Sequence, residues 1–143
     1  MSTEENKAIT RRWYDTHVPG RVEEGAAMLT DDFRGHMPGV PQPLDVAGFR
    51  QMGEMFFAAF ADIEQTVEDQ VAEGDLVASR GSWWGTHTGA FQGIPPTGKR
   101  IAMTWIGLDR LAGGKIAEHF AQLDLLGVLQ QLGAIPAPAQ APA

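Results

Sequence analysis

A change of hydrophobic period divides this chain and limits the folds that it can adopt. Residues 99 to 111 and 115 to 123 have a strand-like pattern, and Gly113-Gly114 between them predicts a hairpin. Residues 63 to 71 and 76 to 88 predict two further strands, because alternating residues there are separated by a turn. Such a run of strands after a helical N-terminal part indicates an α+β fold with an antiparallel sheet.

The N-terminal part has helical spacing. Residues 3 to 18 predict a first helix, with Thr3 as its N-cap and Pro19-Gly20 as its stop. A short helix at about 22 to 29 is expected next. The segment from Phe33 to Met37 then predicts a short strand.

A second long helix is predicted after the proline-rich loop from Pro38 to Pro43. Asp45 is its expected N-cap, and apolar residues then recur at helical spacing as Phe49, Met52, Phe56 and Phe60. Residues 124 to 132 predict a final helix that ends at Gly133. We therefore expect one domain over residues 1 to 133 and a disordered Pro/Ala tail over 134 to 143.

Composition excludes several classes of function. The formal net charge is −7, so nucleic acid and anionic membranes are not expected as partners. The chain has no cysteine, and its four histidines have no tight ligand spacing, so we expect no metal site and no cofactor. The polar N-terminus lacks an apolar signal core, which makes a cytoplasmic location the expectation.

Four separately spaced motifs occur in one order between Gly85 and Gly133. They are Gly-Thr-His-Thr-Gly, Gly-Ile-Pro-Pro-Thr-Gly-Lys, Gly-Lys-Ile-x-Glu-His and Asp-x-Leu-Gly-x-Leu-Gln-Gln-Leu-Gly. This order resembles the SnoaL-like polyketide cyclases, also called ester cyclases, over roughly residues 4 to 133. The resemblance implies a cone-shaped α+β barrel, in which a curved antiparallel sheet wraps over N-terminal helices and lines an apolar cavity. Ketosteroid isomerase and nuclear transport factor proteins share this fold.

The resemblance also implies a catalytic aspartate at the start of the last helix, and Asp124 matches that motif. Even-numbered residues from 116 to 124 share one face of a regular strand, which would turn His119 away from Asp124. Asp124 would then act as general acid and base at the apolar mouth of the cone. The alternative is that Asp124 only caps the helix. His36, followed by Pro38, would orient a carboxylate or polarise a carbonyl, or would simply be satisfied by backbone groups.

A set of larger side chains is expected to line the substrate cavity. Three of them have a structural alternative: core packing for Trp83, a boundary position for Tyr14, and support of the turn at Gly89 for His87. Met103 and Trp105 share one face of their strand. The predicted substrate-binding residues are Tyr14, Trp83, His87, Met103, Trp105 and Phe120.

The resemblance implies an enzyme that needs no cofactor and closes a ring by an intramolecular aldol-type reaction on a polyketide-like ester. Two alternatives remain: a non-catalytic carrier or sensor of small molecules, and an epoxide hydrolase, which requires two carboxylates and an arginine around one water. The expected ligand is an apolar, carbonyl-rich small molecule. Apolar outer faces on strands 76–88 and 99–111 predict a homodimer or homotetramer.

Overall fold

The computed structural model describes residues 1–136, which form a mixed α+β fold and confirm the predicted class. The predicted tail therefore lies largely outside the described residues, because 137–143 are not among them. The elements in chain order are α1 (Thr3–Tyr14), α2 (Val22–Ala26), β1 (Leu29–His36), α3 (Val46–Ala59), β2 (Glu64–Glu73), β3 (Leu76–Thr86), β4 (Arg100–Ala112), β5 (Lys115–Leu123) and α4 (Leu125–Gln131).

The five strands form one curved sheet in the order β1-β5-β4-β3-β2. The neighbours β2 to β5 are antiparallel, as the hairpin signals predicted. Strand β1 departs from the expected antiparallel arrangement because it pairs in parallel with β5. The chain between β1 and β5 forms the other three strands of the sheet. Because this connection is long, β1 can pair with the free edge of β5 and run parallel to it.

Helix α1 is shorter than predicted, and its N-cap is Ser2 rather than Thr3. The Ser2 hydroxyl accepts a hydrogen bond from the backbone N–H of Glu5 at 3.1 Å. At the other end, the hydroxyl of Thr16 donates to the carbonyl of Trp13 at 2.6 Å. That bond and the i to i−3 backbone bond from His17 to Tyr14 replace the regular helical pattern, so the helix ends before Pro19-Gly20.

The N-cap prediction for α3 is confirmed. The carboxylate of Asp45 accepts a hydrogen bond from the N–H of Gly48 at 2.8 Å. The apolar side of α3 faces the sheet, and Phe49 and Phe56 pack against the buried core. This packing places helix α3 across one side of the concave face of the sheet, which forms one wall of the cavity described below.

Strand β4 divides its residues strictly between the two faces of the sheet. Every odd-numbered residue from Ile101 to Leu111 is buried on the concave face, whereas the even-numbered residues are exposed. Ile106 is 61% exposed and Leu108 is 38% exposed on the convex face. The concave face therefore carries the core and the cavity, and the convex face carries apolar side chains that residues 1–136 leave exposed.

A β-bulge in β5 changes which of its residues face inward. Leu111 pairs with Ile116 but Arg110 pairs with Glu118, so Ala117 has no residue opposite it. The extra residue reverses the alternation, so Ile116 before it and His119 after it both point to the concave face. The expectation that even-numbered residues from 116 to 124 share one inner face is therefore wrong.

The chain leaves β5 into α4, which closes one end of the sheet. The side-chain amide of Gln131 donates to the carbonyl of Ala102 at 2.7 Å, and its oxygen accepts from the N–H of Ala102 at 2.9 Å. Val128 of α4 is fully buried. Among the helices of residues 1–136, none is long and apolar enough to cross a membrane.

Candidate functional site

An apolar cavity lies between the concave face of the sheet and helices α1, α2 and α3. Its cavity volume is about 140 Å³, and the wider non-protein space of about 960 Å³ includes open solvent at the mouth. Most of its wall consists of aromatic, aliphatic and methionine side chains. The polar side chains in the wall are Tyr14, Thr16, His17, Arg50, Gln65 and His119. A concave, mostly apolar space with a few polar groups is the usual form of a small-molecule site.

A buried chain of hydrogen bonds supports one wall of this cavity. The Nδ1 atom of His119 lies 2.6 Å from Oδ1 of Asp109, and the hydroxyl of Tyr14 donates to Oδ2 of Asp109 at 2.6 Å. Asp109 is fully buried, and His119 and Tyr14 are almost fully buried. Tyr14 and His119 line the cavity, whereas Asp109 lies behind them. Each carboxylate oxygen of Asp109 thus has a protein partner.

The backbone determines this arrangement. Asp109 faces the concave side through the regular alternation of β4, and the bulge at Ala117 places His119 directly opposite it in the β4–β5 ladder. Gly107 leaves the space that Tyr14 occupies, because a Cβ built at Gly107 would lie 2.2 Å from the Tyr14 hydroxyl oxygen. Any side chain at position 107 would therefore displace the tyrosine from Asp109.

The electrostatics of this group give each member one role. Burial and the negative charge of Asp109 raise the pKa of Tyr14 well above its ordinary value, so the phenol stays protonated and donates. With Asp109 accepting at Nδ1, His119 carries its proton on Nδ1 and presents an unprotonated Nε2. Within residues 1–136, no protein group bonds to this Nε2. The arrangement can therefore accept a proton at His119 and stabilise the resulting charge with Asp109.

A second histidine lies in the same cavity wall. His17 packs against Trp13, with 4.4 Å between ring centroids, and against Tyr14 at 5.3 Å. Burial, with a smaller contribution from the neighbouring His119, lowers the pKa of His17 to about 3. This ring is therefore neutral across the physiological pH range.

Four of the predicted substrate-binding residues lie in the cavity wall. Tyr14, Trp83, Met103 and Trp105 all line it, and the Tyr14 and Trp105 rings are 4.5 Å apart. The indole of Trp105 lies over Gly81, where a Cβ would approach its Cζ2 atom to 2.5 Å. The small residue at position 81 thus makes room for a large one on the neighbouring strand.

Asp124 does not lie where the sequence analysis expected. Its side chain is exposed at the N-cap of α4, where Oδ1 accepts a hydrogen bond from the N–H of Gly127 at 3.0 Å. It is not among the residues that line the cavity. The reason is the bulge in β5, which directs even-numbered residues after Ala117 away from the concave face.

His36, His87 and Phe120 also lie outside the cavity wall. The ring of His36 stacks on Phe120 on the convex side, 4.3 Å between centroids, and its Nε2 lies 2.9 Å from a carboxylate oxygen of Glu118. His87 is fully buried, and its Nδ1 accepts from the backbone N–H of Thr97 at 3.1 Å. His87 therefore supports the loop before β4 at Thr97, whereas the expected structural alternative was support of the turn at Gly89.

The site also contains three residues that were not predicted from the sequence: Asp109, His119 and His17. One available signal was the pattern of β4, where Asp109 is the single acid among the otherwise apolar or small odd-numbered residues from Ile101 to Leu111. An acid on a buried face needs a partner, and such partners mark functional sites. In the part of the chain that the structure describes, no three His, Asp or Glu side chains form a metal-binding group.

Comparison with known proteins gives a consistent family. Residues 7–132 match the sequence model of the SnoaL-like polyketide cyclases. Aklanonic acid methyl ester cyclase DauD from Streptomyces sp. (strain C5) is 26% identical over 130 residues, which are 87% of this chain and 80% of DauD. Nogalonic acid methyl ester cyclase from Streptomyces nogalater is 34% identical over 73 residues, 46% of this chain and 54% of that protein.

Solved structures agree with this result. AclR from Streptomyces galilaeus, which is described as a candidate hydroxylase, has a TM-score of 0.88 at 25% identity, covering 97% of this chain and 87% of AclR. A candidate polyketide cyclase from Acidithiobacillus ferrooxidans has a TM-score of 0.80 at 31% identity, covering 94% of this chain and 99% of that one. The curved sheet, the apolar cavity and the match over residues 7–132 together lead to one conclusion: this chain belongs to the SnoaL-like polyketide cyclase family.

Proposed function

We propose that this protein closes a ring in a carbonyl-rich, polyketide-like ester, with His119 as the group that moves the proton. The observation that carries the proposal is the buried Tyr14–Asp109–His119 chain of hydrogen bonds in the wall of an apolar cavity. A histidine held by a buried carboxylate is a well-suited general base, because the carboxylate fixes the tautomer and stabilises the imidazolium that forms.

The reaction is an intramolecular aldol-type addition. Nε2 of His119 takes a proton from a carbon that is flanked by carbonyl groups, and the electron pair of that C–H bond moves into an enolate. The enolate carbon then attacks a second carbonyl of the same molecule, forming a C–C bond and an alkoxide. The imidazolium of His119 returns the proton to this oxygen, so substrate and product are isomers.

Asp109 and Tyr14 act through His119 as positioning residues. Asp109 accepts a hydrogen bond from the Nδ1–H of the imidazole and so fixes its tautomer. Tyr14 donates a hydrogen bond to the second carboxylate oxygen and leaves the carboxylate charged. Because Asp109 is fully buried, its attraction for the imidazolium is weakly screened by solvent. The carboxylate therefore lies where it can stabilise the positive charge that His119 carries during the reaction.

The cavity contributes orientation and exclusion of water. Its aromatic wall, which includes Trp13, Phe49, Trp83 and Trp105, can hold a flat conjugated substrate in a folded conformation. Holding the two reacting carbons close together removes much of the entropic cost of ring closure. This orienting effect supports a ring closure in which protein side chains alone act on the substrate.

The epoxide hydrolase alternative receives little support from the cavity. That chemistry requires two carboxylates and an arginine on one water, yet no Asp or Glu lines the cavity within residues 1–136. The carrier alternative predicts tight binding of the same ligands without their conversion, which the experiment below distinguishes.

The test is a cyclisation assay with two esters acted on by the relatives, aklanonic acid methyl ester and nogalonic acid methyl ester, together with simpler polycarbonyl esters. We expect at least one to be converted to an isomer of unchanged mass. His119→Gln should lower kcat by a factor on the order of 10² to 10⁴, the usual contribution of a positioned proton-transfer group. Full activity of His119→Gln contradicts the assigned site.

The mass of the product separates the remaining functions. Binding without conversion of any ester in the panel supports the carrier. A product with one additional oxygen atom supports a hydroxylase, the activity suggested for AclR. Either result contradicts the proposed ring closure.

A further inference from the structure

We propose that His17 is a second catalytic residue, whose Nε2–H donates a hydrogen bond to the substrate oxygen that becomes negative when His119 removes the proton. This inference rests on the proposed function and adds an oxyanion-stabilising donor to it. In this mechanism His119 accepts the proton, whereas His17 donates a hydrogen bond and keeps its own proton.

The first support is position. His17 and His119 both line the cavity and pack against the same two aromatic rings. The Trp13 ring centroid lies 4.4 Å from that of His17 and 5.0 Å from that of His119. The Phe49 centroid lies 6.0 Å from His17 and 5.7 Å from His119. One conjugated ligand resting on this aromatic surface can therefore reach both imidazoles.

The second support is an unused polar atom on His17. Nε2 of His17 is buried and has no hydrogen-bond partner within residues 1–136. Some polar groups of the wall are already occupied: the Thr16 hydroxyl donates to Trp13, and the Gln65 side-chain amide donates to the Tyr14 carbonyl. Nε of Arg50 and Nε1 of Trp105 in the same wall are, like Nε2 of His17, buried without a partner within residues 1–136, so a ligand would meet three such atoms. Buried polar atoms without a partner are uncommon in native proteins, and one in a cavity wall indicates that the ligand supplies the partner.

The third support is the contrast between the two rings. His119 has a carboxylate partner at 2.6 Å, which favours a positive charge when it accepts a proton. Among residues 1–136, His17 has no carboxylate partner, and burial lowers its pKa to about 3. When two titratable groups in one site have different environments, one can transfer the proton while the other stabilises the developing charge. Because it cannot easily become charged, His17 is suited to donate a hydrogen bond without transferring its proton.

The hydrogen bond from His17 adds no further transfer of atoms to the reaction. The C–H proton moves to Nε2 of His119, and the enolate oxygen shortens its hydrogen bond to the Nε2–H of His17. After the C–C bond forms, the proton of the His119 imidazolium moves to the new alkoxide. His17 keeps its own proton throughout and returns to its starting state.

The kinetic test compares two replacements. His17→Phe keeps an aromatic ring beside Trp13 and Phe49 but removes the donor, whereas His17→Gln keeps a side-chain N–H. We expect His17→Phe to lower kcat by a factor on the order of 10² to 10³ with little change in KM, as for removal of one oxyanion-stabilising donor. His17→Gln should retain more of the rate. A wild-type kcat in His17→Phe overturns the proposal.

A binding test gives a second readout that does not depend on turnover. The probe is 4-nitrophenol, whose absorption band differs between phenol and phenolate. We expect the wild-type protein to bind it as phenolate at a pH below the probe's solution pKa, with at least about tenfold weaker affinity in His17→Phe. Equal affinity in the wild type and His17→Phe, or no phenolate binding by the wild type, overturns the role of His17.

The two proposals fail in different ways. If His119→Gln loses its rate while His17→Phe does not, only the role of His17 is wrong. If His119→Gln keeps the wild-type rate, the proposed function is wrong whatever His17 does. Thermal unfolding of each variant confirms that the compared proteins are folded.

Discussion

His119 and Asp109 face each other across the β4–β5 ladder, with 2.6 Å between Nδ1 of the imidazole and Oδ1 of the carboxylate. The pair is buried at the cavity wall, and the bulge at Ala117 makes it possible. The carboxylate of this site therefore lies on β4, and its position differs from that of the aspartate at the start of α4.

Replacing Asp109 and Asp124 by asparagine, one at a time, shows which of the two carboxylates the reaction needs. Asp109→Asn removes the charge that stabilises imidazolium at His119, so we expect kcat to fall by a factor on the order of 10² to 10⁴. Asp124→Asn should retain the rate and the stability, because asparagine is as good an N-cap as aspartate. The assay is ester cyclisation. A large rate loss in Asp124→Asn with full activity in Asp109→Asn would reinstate Asp124 as the catalytic carboxylate.

Removing the Tyr14 hydroxyl tests its role as the second partner of Asp109. Tyr14→Phe leaves a buried carboxylate oxygen without its donor, so the free energy of unfolding should fall by about 1–3 kcal/mol. Chemical denaturation measures this change. Thr30→Val is a matched control, because it removes a hydroxyl that bonds Asp32 at 2.8 Å on the surface. Equal effects of the two substitutions would show that burial of the Tyr14–Asp109 bond adds nothing.

The neutral state of His17 predicts how stability depends on pH. The folded-state pKa is about 3, whereas the ordinary value is 6.5, so the unfolded chain binds a proton first as the pH falls. The contribution of His17 is therefore complete above pH 6.5 and is lost progressively toward pH 3, at about 1.4 kcal/mol per pH unit. Urea unfolding at several pH values measures it.

The control for this effect is His17→Gln, which has no titrating group at position 17. The difference in unfolding free energy between the wild type and His17→Gln should change in favour of the variant as the pH falls through this window. Other titrating groups cancel in the comparison to the extent that the variant leaves them unchanged. A difference that stays constant from pH 7 to pH 4 contradicts the depressed pKa.

The convex face of the sheet predicts self-association. Leu108 and its cross-strand partner Phe120 are each 38% exposed there, and Ile106 is 61% exposed. Because such apolar sheet faces are usually covered, we expect a dimer, or a tetramer, in sedimentation experiments at micromolar concentration.

Two lysine substitutions locate the contact. Leu108→Lys should shift the protein toward the 15.5 kDa monomer, because it places a charge on the face that a second copy is expected to cover. Met55→Lys is the control, since Met55 is an equally apolar and exposed residue on α3, away from the sheet. A wild-type protein that sediments as a clean monomer rules out the predicted assembly.

The sequence by itself determined the class of fold and much of the cavity. Periodicity together with the turn residues, such as Gly113-Gly114, located the two antiparallel hairpins, and the Asp45 cap fixed the start of α3. The motifs between Gly85 and Gly133 identified the family, which the match over residues 7–132 confirms. Large side chains on a concave strand face, such as Met103 and Trp105, were recognisable because strand alternation is a local property.

Only the tertiary structure decided which polar residues meet. A single extra residue, Ala117, reverses the alternation of β5, and local pattern does not reveal it because a bulge is defined by pairing with another strand. That reversal moved His119 into the cavity and left Asp124 at an exposed helix cap. The position of His17 likewise depends on how α1 ends and packs on the sheet. Short-range periodicity gives the faces of elements, whereas the neighbours across those faces follow from register and packing.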